Sequence, residues 1–340
     1  MNAWKIALAL AVLSGNAWAQ AGSLVNASID DRSALDDPAV ASREVSDGWL
    51  AFSMPVLDGT RSPCCWKGKW NSNREVGCSL EPDRQSYGTR SDSPEVDHVI
   101  TFARLSEGNV KSLRVMGESC PVDGAGADVL WIGSVDANAS LNWLANIARD
   151  GKQAARDSAL YAAALHESPQ ATQLLHDFAA ADSGLSEEAV FWLGETRGAG
   201  GYKALDALLR ELPHGDTRQH VNFALAQNNS PEAFDRLVDI SRNDADPEQR
   251  SNALFWLAEE FPEQAEPLLL DALASESDEE VLEQAVFAVS QLPGRQSTRI
   301  LLALAQDPDQ PREIRRQAMF WLANSDDDEA LAALEDLLTR

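Results

Sequence analysis

Five short segments decide the fold of this chain: AVFWL (189–193), VNFAL (221–225), ALFWL (253–257), AVFAV (285–289) and AMFWL (318–322). Their central phenylalanines are separated by 32, 32, 32 and 33 residues. A second apolar series keeps the same spacing: Leu205, Leu237, Leu269, Leu301 and Leu334. Two series that share one period of this length predict stacked pairs of amphipathic helices, an α-solenoid.

The joints between the predicted helices support this interpretation. Pro247 and Pro311 each fall at the first turn of a predicted helix, where the missing N–H costs nothing. A less regular helix pair, 154–167 and 169–180, precedes the five clear ones, with a capping helix at 140–149 before it. The sequence therefore predicts a mainly α protein, with about six helix pairs over residues 138–340.

Residues 150–340 resemble HEAT repeats, and are most similar to the short bacterial variety called phycobilisome-lyase HEAT-like repeats. The best-matching segment is IRRQAMFWL (314–322), where that family has Val-Arg-x-x-Ala-x-x-x-Leu. Two helix pairs depart from the Val-Arg pattern, with Gln249-Arg250 and Val281-Leu282 in its place. The resemblance implies a fold rather than an activity, because such repeats serve many unrelated roles.

The resemblance also implies a binding face. In these short repeats the first helix of each pair lines the concave surface, and here that helix carries the phenylalanines and a polar residue four positions further on. The implied partner-binding residues are Phe191, Glu195, Phe223, Gln227, Phe255, Glu259, Phe287, Gln291, Phe320 and Asn324. The alternative is that the phenylalanines only stack between neighbouring repeats, because packing positions repeat whereas recognition positions usually vary.

The charge of the chain excludes one class of partner and favours another. The 340 residues include 54 acidic and 28 basic ones, a net charge of −26, and 36 of the acidic but only 16 of the basic residues follow residue 138. Nucleic-acid binding requires the opposite sign. We therefore expect a basic protein partner whose association depends on salt.

No pattern in the sequence points to catalysis. Metalloprotease, nucleophile-elbow, phosphate-loop and dinucleotide motifs are all missing. The acidic clusters at 244–248 and 326–329 could bind calcium, but they lack the spacing of an EF-hand loop and suit helix caps better. We expect a non-enzymatic interaction scaffold without catalytic residues, metal or cofactor. The alternative is an accessory lyase or cofactor-attachment factor, since the namesake repeats occur in bilin-attaching lyases.

The N-terminus predicts export. Residues 1–19 combine a basic start, the apolar run 6–13 and a small-residue cleavage site near Ala19 and Gln20. The apolar run is too short to span a bilayer, so we expect no stable membrane insertion and a location in the periplasm or outside the cell. Residues 20–46 resemble a polar linker. The acidic side chains of the last helix, 328–340, predict a monomer.

Residues 47–135 predict a small β-rich domain, including a hairpin formed by 98–105 and 110–116. It contains all four cysteines, Cys64, Cys65, Cys78 and Cys120. In an exported protein an even number of cysteines predicts disulfides, and the absence of a C-x-x-C motif disfavours a metal or redox site. Because a ring between the adjacent cysteines would distort the peptide, we expect one to pair with Cys78 and the other with Cys120, in an order left open.

Overall fold

The computed structural model describes residues 23–67, 74–75, 77–81, 86–90, 92–181, 184–212, 216–325 and 330–331. The chain forms two compact modules, an N-terminal and a C-terminal one, divided between Ala171 and Thr172. The expected signal peptide and nearly all of the expected last helix lie outside the described residues. Of the helices that are described, none combines the length and apolarity needed to cross a bilayer.

The strands belong to the N-terminal module. They are β1 (Ser23–Val25), β2 (Ser28–Asp31), β3 (Asp47–Pro55), β4 (Cys64–Lys67), β5 (Arg74–Glu75), β6 (Cys78–Ser79), β7 (Ser86–Gly88), β8 (His98–Ser106), β9 (Asn109–Gly117), β10 (Pro121–Asp123) and β11 (Asp128–Ser134). The main sheet has the order β2-β11-β3-β8-β9, and two small sheets have the orders β1-β10-β6 and β5-β4-β7. The predicted hairpin is present as β8 and β9, which pair antiparallel.

Helices form most of the remainder. They are α1 (Pro38–Ala41), α2 (Ala137–Asp150), α3 (Gln153–Leu165), α4 (Gln170–Ala180), α5 (Ser186–Thr196), α6 (Gly198–Glu211), α7 (Asp216–Gln227), α8 (Pro231–Asn243), α9 (Pro247–Glu260), α10 (Pro262–Ser275), α11 (Glu279–Gln291), α12 (Gly294–Gln306) and α13 (Arg312–Ala323). From α5 onward they follow the predicted period, which confirms a mainly α repeat fold preceded by a strand-rich region.

Both faces of the central strand β3 are buried. On one face Phe52 meets Trp143 of α2 edge to face, with ring centroids 5.7 Å apart. On the other face Trp49 and Ala51 join a core cluster that contains the four cysteines. Because helices cover one side of the sheet and cross-linked loops cover the other, every residue of β3 from Trp49 to Met54 is buried.

Two boundaries differ from the sequence-based expectation. The segment 20–46 is not simply a linker, since β1 pairs in parallel with β10 and β2 pairs in parallel with β11. The solenoid does not begin at residue 138, because α2 packs against β3 and α3 against β9 within the N-terminal module. Strand partners about a hundred residues away leave no local periodicity, so the sequence pattern could not show this pairing.

The four cysteines form two adjacent disulfides. Cys64 is bonded to Cys120 and Cys65 to Cys78, with Cα–Cα distances of 5.4 and 5.0 Å. The Sγ atoms of Cys78 and Cys120 lie 3.8 Å apart, and all four residues are buried. This is one of the two pairings that the sequence left open.

In the C-terminal module each repeat consists of an A helix followed by a B helix. Repeats 1 to 4 are α5–α6, α7–α8, α9–α10 and α11–α12, and α13 is the A helix of repeat 5. The predicted leucine series lies inside the array, with Leu205, Leu237, Leu269 and Leu301 at most 1% exposed. Leu334 lies outside the described residues.

The acidic joint at 244–248 acts as a helix start. Asp246 accepts a hydrogen bond from the Glu248 N–H at 3.0 Å and thereby caps α9, whose first residue is Pro247. Asp244 accepts the Asp246 N–H at 3.0 Å and also pairs with Arg218. These carboxylates are thus engaged in capping and ion pairing. The second acidic cluster, 326–329, lies outside the described residues.

Candidate partner-binding surface

The phenylalanine of each A helix lies at the edge of the core rather than inside it. In α9 the side chains of Ala253, Leu254 and Leu257 are at most 1% exposed, whereas Phe255 and Trp256 are only partly buried. Successive residues turn by about 100° around a helix, so five consecutive apolar residues cannot all face inward. The central residue of each segment therefore remains partly accessible.

The aromatic residues of the A helices form a continuous series of ring contacts, the aromatic ladder: Phe191, Trp192, Phe223, Phe255, Trp256, Phe287, Phe320 and Trp321. Phe191 and Phe223 are stacked, with centroids 6.1 Å apart and planes 15° apart. Phe255 and Phe287 are stacked at 5.9 Å and 3°. The ladder thus connects A helices from neighbouring repeats.

Tryptophans link one stacked pair to the next. The ring centroid of Trp256 lies 4.6 Å from that of Phe223 in the preceding repeat and 4.9 Å from that of its own neighbour Phe255. In the same way Trp321 contacts Phe287 at 5.0 Å. Sequence reasoning did not assign these tryptophans to the surface.

The signal for them was present in the sequence, because the residue after each phenylalanine alternates between tryptophan and alanine. Ala224 and Ala288 are fully buried, whereas the tryptophans in repeats 1, 3 and 5 are partly exposed. Close helix packing accompanies the small residues: a Cβ on Gly194 of α5 would lie 2.3 Å from the Ala224 carbonyl oxygen of α7. The ladder therefore repeats every two helix pairs rather than every one.

The ladder residues pack and remain accessible at the same time. Each ring touches another ring, yet all eight are at least partly exposed, and Phe320 is 52% exposed. The two sequence-based interpretations, stacking between repeats and display on a surface, are therefore compatible. Stacking fixes the rings in place, and exposure leaves part of each ring available for a contact.

The polar residues that follow four positions after each phenylalanine lie beside the ladder. Glu195, Glu259, Gln291 and Asn324 are exposed, and Gln227 is partly exposed. Positions four apart share one side of a helix, so each polar group stands next to its own ring. The structure thus places nine of the ten sequence-proposed residues on the A helices, and the tenth, Asn324, at the C-cap of α13.

Two of the three amides in this series already have hydrogen-bond partners. The Asn324 side-chain amide donates to the Phe320 carbonyl oxygen at 2.7 Å and so closes the end of α13. The Gln291 amide donates to the Ser290 hydroxyl at 2.9 Å. By contrast, within the part of the chain that the structure describes, the carboxylates of Glu195 and Glu259 form neither a hydrogen bond nor an ion pair.

Several carboxylates on the B helices are instead neutralised by an arginine of a neighbouring repeat. Arg236 Nε lies 3.0 Å from Asp206 Oδ1, and Arg242 lies 3.2 Å from Asp271 Oδ2. Arg299 likewise pairs with Glu266. These pairs join consecutive B helices and reduce the negative charge of that layer.

A further ion pair, within repeat 3, links the first turns of α9 to the C-terminal end of α10. Arg250 donates to Glu276 at 2.7 Å, and both side chains are about 14% exposed or less. The hydrogen bond that Arg250 donates to the Glu276 carboxylate raises the pKa of Arg250 above its ordinary value. Burial alone raises the pKa of Glu276, but the hydrogen bonds from Arg250 and the backbone outweigh it, so that this pKa is lowered.

The two helix layers differ in spacing. Successive A helices pack directly against one another from α5 to α13. Successive B helices pack less closely. A cavity of about 190 Å³ opens between the two layers, among α8, α9 and α10, lined by residues that include Arg242, Arg250, Asp271 and Glu276. The A layer is therefore the more closely packed side of the array.

Comparison with known families identifies the repeats. Residues 202–289, 235–312 and 266–340 each match the family described as HEAT repeats. These overlapping matches include the repeats from α6 onward, and proteins with such repeats typically bind other proteins. Residues 202–340 are therefore similar to HEAT repeats, which supports the HEAT-like fold that the resemblance implied for 150–340.

Comparison with whole proteins adds little. No curated protein matches the chain significantly. Among solved structures, human deoxyhypusine hydroxylase in complex with glycerol is 18% identical, over 59% of this chain and 90% of that one, with a TM-score of 0.27. A similarity this low carries no argument about activity.

Proposed function

We propose that this protein is a non-enzymatic scaffold of the bacterial cell envelope that holds a basic protein partner on its A-helix layer. The observation that carries the proposal is that Glu195 and Glu259 are exposed beside partly exposed aromatic rings and have no ion pair or hydrogen bond among the described residues. Aromatic residues surrounded by polar groups commonly form the energetic centre of an interface. Unpaired carboxylates select a basic partner and raise its rate of association.

The spacing of the helices supports placing this layer on the concave face. An array whose A helices pack directly against one another, while its B helices pack less closely, curves toward the A side. Extended concave surfaces are the binding surfaces that repeat proteins use. The aromatic ladder and its five polar neighbours would then face the partner.

We further propose that the repeats are of the short bacterial type and that the protein is exported to the periplasm or beyond, as a monomer. The features of residues 1–19 support export. Two buried disulfides suit an oxidising compartment. The acidic residues within 328–340, the expected last helix, support the monomeric state.

The proposal is tested by charge reversal on the A layer. The parent protein, the variant E195K/E259K and the control D235K/E263K are immobilised, and each is incubated with periplasmic extract at low and at high salt. Asp235 and Glu263 are exposed residues of α8 and α10 that have no ion pair among the described residues. The control therefore makes the same change in net charge on the other layer.

We expect a basic protein that the parent and the control retain at low salt and that E195K/E259K does not retain. A protein that all three variants retain equally would place its binding site elsewhere. A chromophore visible in the absorbance spectrum of the purified protein would favour the cofactor-attachment alternative.

A further inference from the structure

The residues of the aromatic ladder alternate from one repeat to the next, so that the pattern recurs every two repeats. A surface with identical contacts in every repeat would recur at each one. In repeats 1 and 3 the phenylalanine is followed by a tryptophan and, three residues later, by a glutamate: Trp192 with Glu195, and Trp256 with Glu259. Neither glutamate has an ion pair within the described part of the chain. In repeats 2 and 4 the same positions hold a buried alanine and a glutamine, Gln227 or Gln291. Two equivalent acidic-aromatic positions are thus separated by one neutral repeat.

Each acidic-aromatic position suits one cation. Trp256 and Glu259 are three residues apart on α9 and so lie on the same side of the helix. Tryptophan is the aromatic side chain that attracts cations most strongly, at up to about 6 Å from the ring centroid. A guanidinium or ammonium group over the indole would also meet the free carboxylate. The same holds for Trp192 and Glu195, and there the indole N–H donates to Glu188 at 3.3 Å, which orients the ring.

The distance between the two positions follows from helix packing. Axes of packed helices are about 8–10 Å apart, so A helices two repeats apart are separated by about 16–20 Å. An extended peptide advances about 3.3 Å per residue. Five or six residues, about 16–20 Å, therefore bridge the two carboxylates, and the intervening residues pass over the neutral repeat 2.

We propose that the partner binds the ladder through an extended segment that carries two arginines or lysines about five to six residues apart, one at Glu195 and one at Glu259. This inference rests on the proposed function and specifies the chemistry of the partner. The charge of the two positions supports a segment with two basic residues. Among the described repeats, repeats 1 and 3 are the ones that combine a tryptophan with an unpaired glutamate. The side-chain amide of Gln227, between them, can pair with the backbone of an extended chain.

The test uses labelled synthetic peptides rich in Gly, Ser and Pro. One carries two arginines about six positions apart, a second carries them side by side, and a third carries a single arginine. Binding to the full protein is measured by fluorescence anisotropy at low salt, for the parent, for E195Q, for E195Q/E259Q and for the control D235N. A fully N-acetylated chito-oligosaccharide serves as a probe without positive charge.

We expect the spaced peptide to bind the parent and D235N about tenfold more tightly than the single-arginine peptide, and E195Q to abolish that advantage. Equal affinity for the spaced and adjacent arginines would overturn the two-site geometry. If no peptide binds, but E195K/E259K still fails to retain the protein that the parent captures, the inference of an extended basic segment is wrong and the proposed function stands. Binding of the oligosaccharide instead would contradict both.

Discussion

The ring of Phe255 lies parallel to the ring of Phe287 in the next repeat, with centroids 5.9 Å apart and planes inclined by 3°. Stacked aromatic pairs contribute about 0.5–1.5 kcal/mol beyond the area that they bury. The same two rings are partly exposed. One residue pair therefore helps to fix the spacing of repeats 3 and 4 and presents aromatic surface to solvent.

Truncating a ladder residue should cost less stability than truncating a core residue of the same helix. We expect Phe255→Ala to lower the free energy of unfolding by about 1–2 kcal/mol, because only part of the ring is buried. Leu257→Ala, two positions further on and fully buried, should cost about 2–5 kcal/mol. Urea denaturation, followed by circular dichroism, measures the free energy of unfolding of both variants. Equal losses would show that the ladder is core and not surface.

The ion pair between Arg250 and Glu276 should stabilise the array. Arg250→Ala leaves a largely buried carboxylate without its partner, and we expect a loss of about 2 kcal/mol in unfolding free energy. Arg242→Ala breaks a pair whose side chains are 50% and 52% exposed, and should cost less than about 1 kcal/mol. Thermal unfolding of both variants measures the difference. A larger loss of stability in Arg242→Ala than in Arg250→Ala would contradict the larger contribution that we assign to the Arg250–Glu276 pair.

Acid should weaken the same contact. The pKa of Glu276 is held below its ordinary value of 4.5 in the folded protein, so its contribution to stability is present above that value and is lost as the pH falls through the lowered pKa. The melting temperature should therefore decrease below about pH 4.5. In Glu276→Gln the melting temperature should change less steeply with pH in that range. If the melting temperature of Glu276→Gln depends on pH as steeply as that of the parent, Glu276 does not cause the acid sensitivity.

Reduction should affect the two modules differently. Both disulfides lie within residues 64–120, so a reductant should make the N-terminal module sensitive to protease while the helical signal of the repeats persists. Loss of a native disulfide commonly costs about 2–5 kcal/mol. Thiol titration of the unreduced protein provides the control. Free thiols there would contradict the pairing of Cys64 with Cys120 and of Cys65 with Cys78.

The sequence predicted the repeats well because each helix pair repeats its own local pattern. The period located the buried leucines such as Leu237, and the width of the apolar run at 253–257 indicated a ring that could not be fully buried. The N-terminal module was less accessible to this reasoning. β2 pairs in parallel with β11, about a hundred residues away, and the burial of α2 against β3 is not a periodic property.

Only part of the proposed binding surface could be predicted from the sequence. The resemblance to a family implied the phenylalanines and the polar residues four positions on, and among those polar residues the charge singled out Glu195 and Glu259. The sequence did not show which carboxylates are paired: Arg236 and Arg242 bind Asp206 and Asp271 of neighbouring repeats, whereas Glu195 and Glu259 have no ion pair among the described residues. Such pairings arise from the packing of the repeats and not from the local pattern.

The most direct test of the ladder as a binding surface compares two exposed apolar residues of repeat 3. Phe255 belongs to the ladder, whereas Leu270 of α10 is 41% exposed on the B layer. The dissociation constant of the captured partner is measured by calorimetry for the parent, Phe255→Ala and Leu270→Ala. We expect Phe255→Ala to weaken binding by about 2 kcal/mol, roughly thirtyfold, and Leu270→Ala to leave it unchanged. Unchanged binding by Phe255→Ala, or an equal loss in Leu270→Ala, would contradict the account.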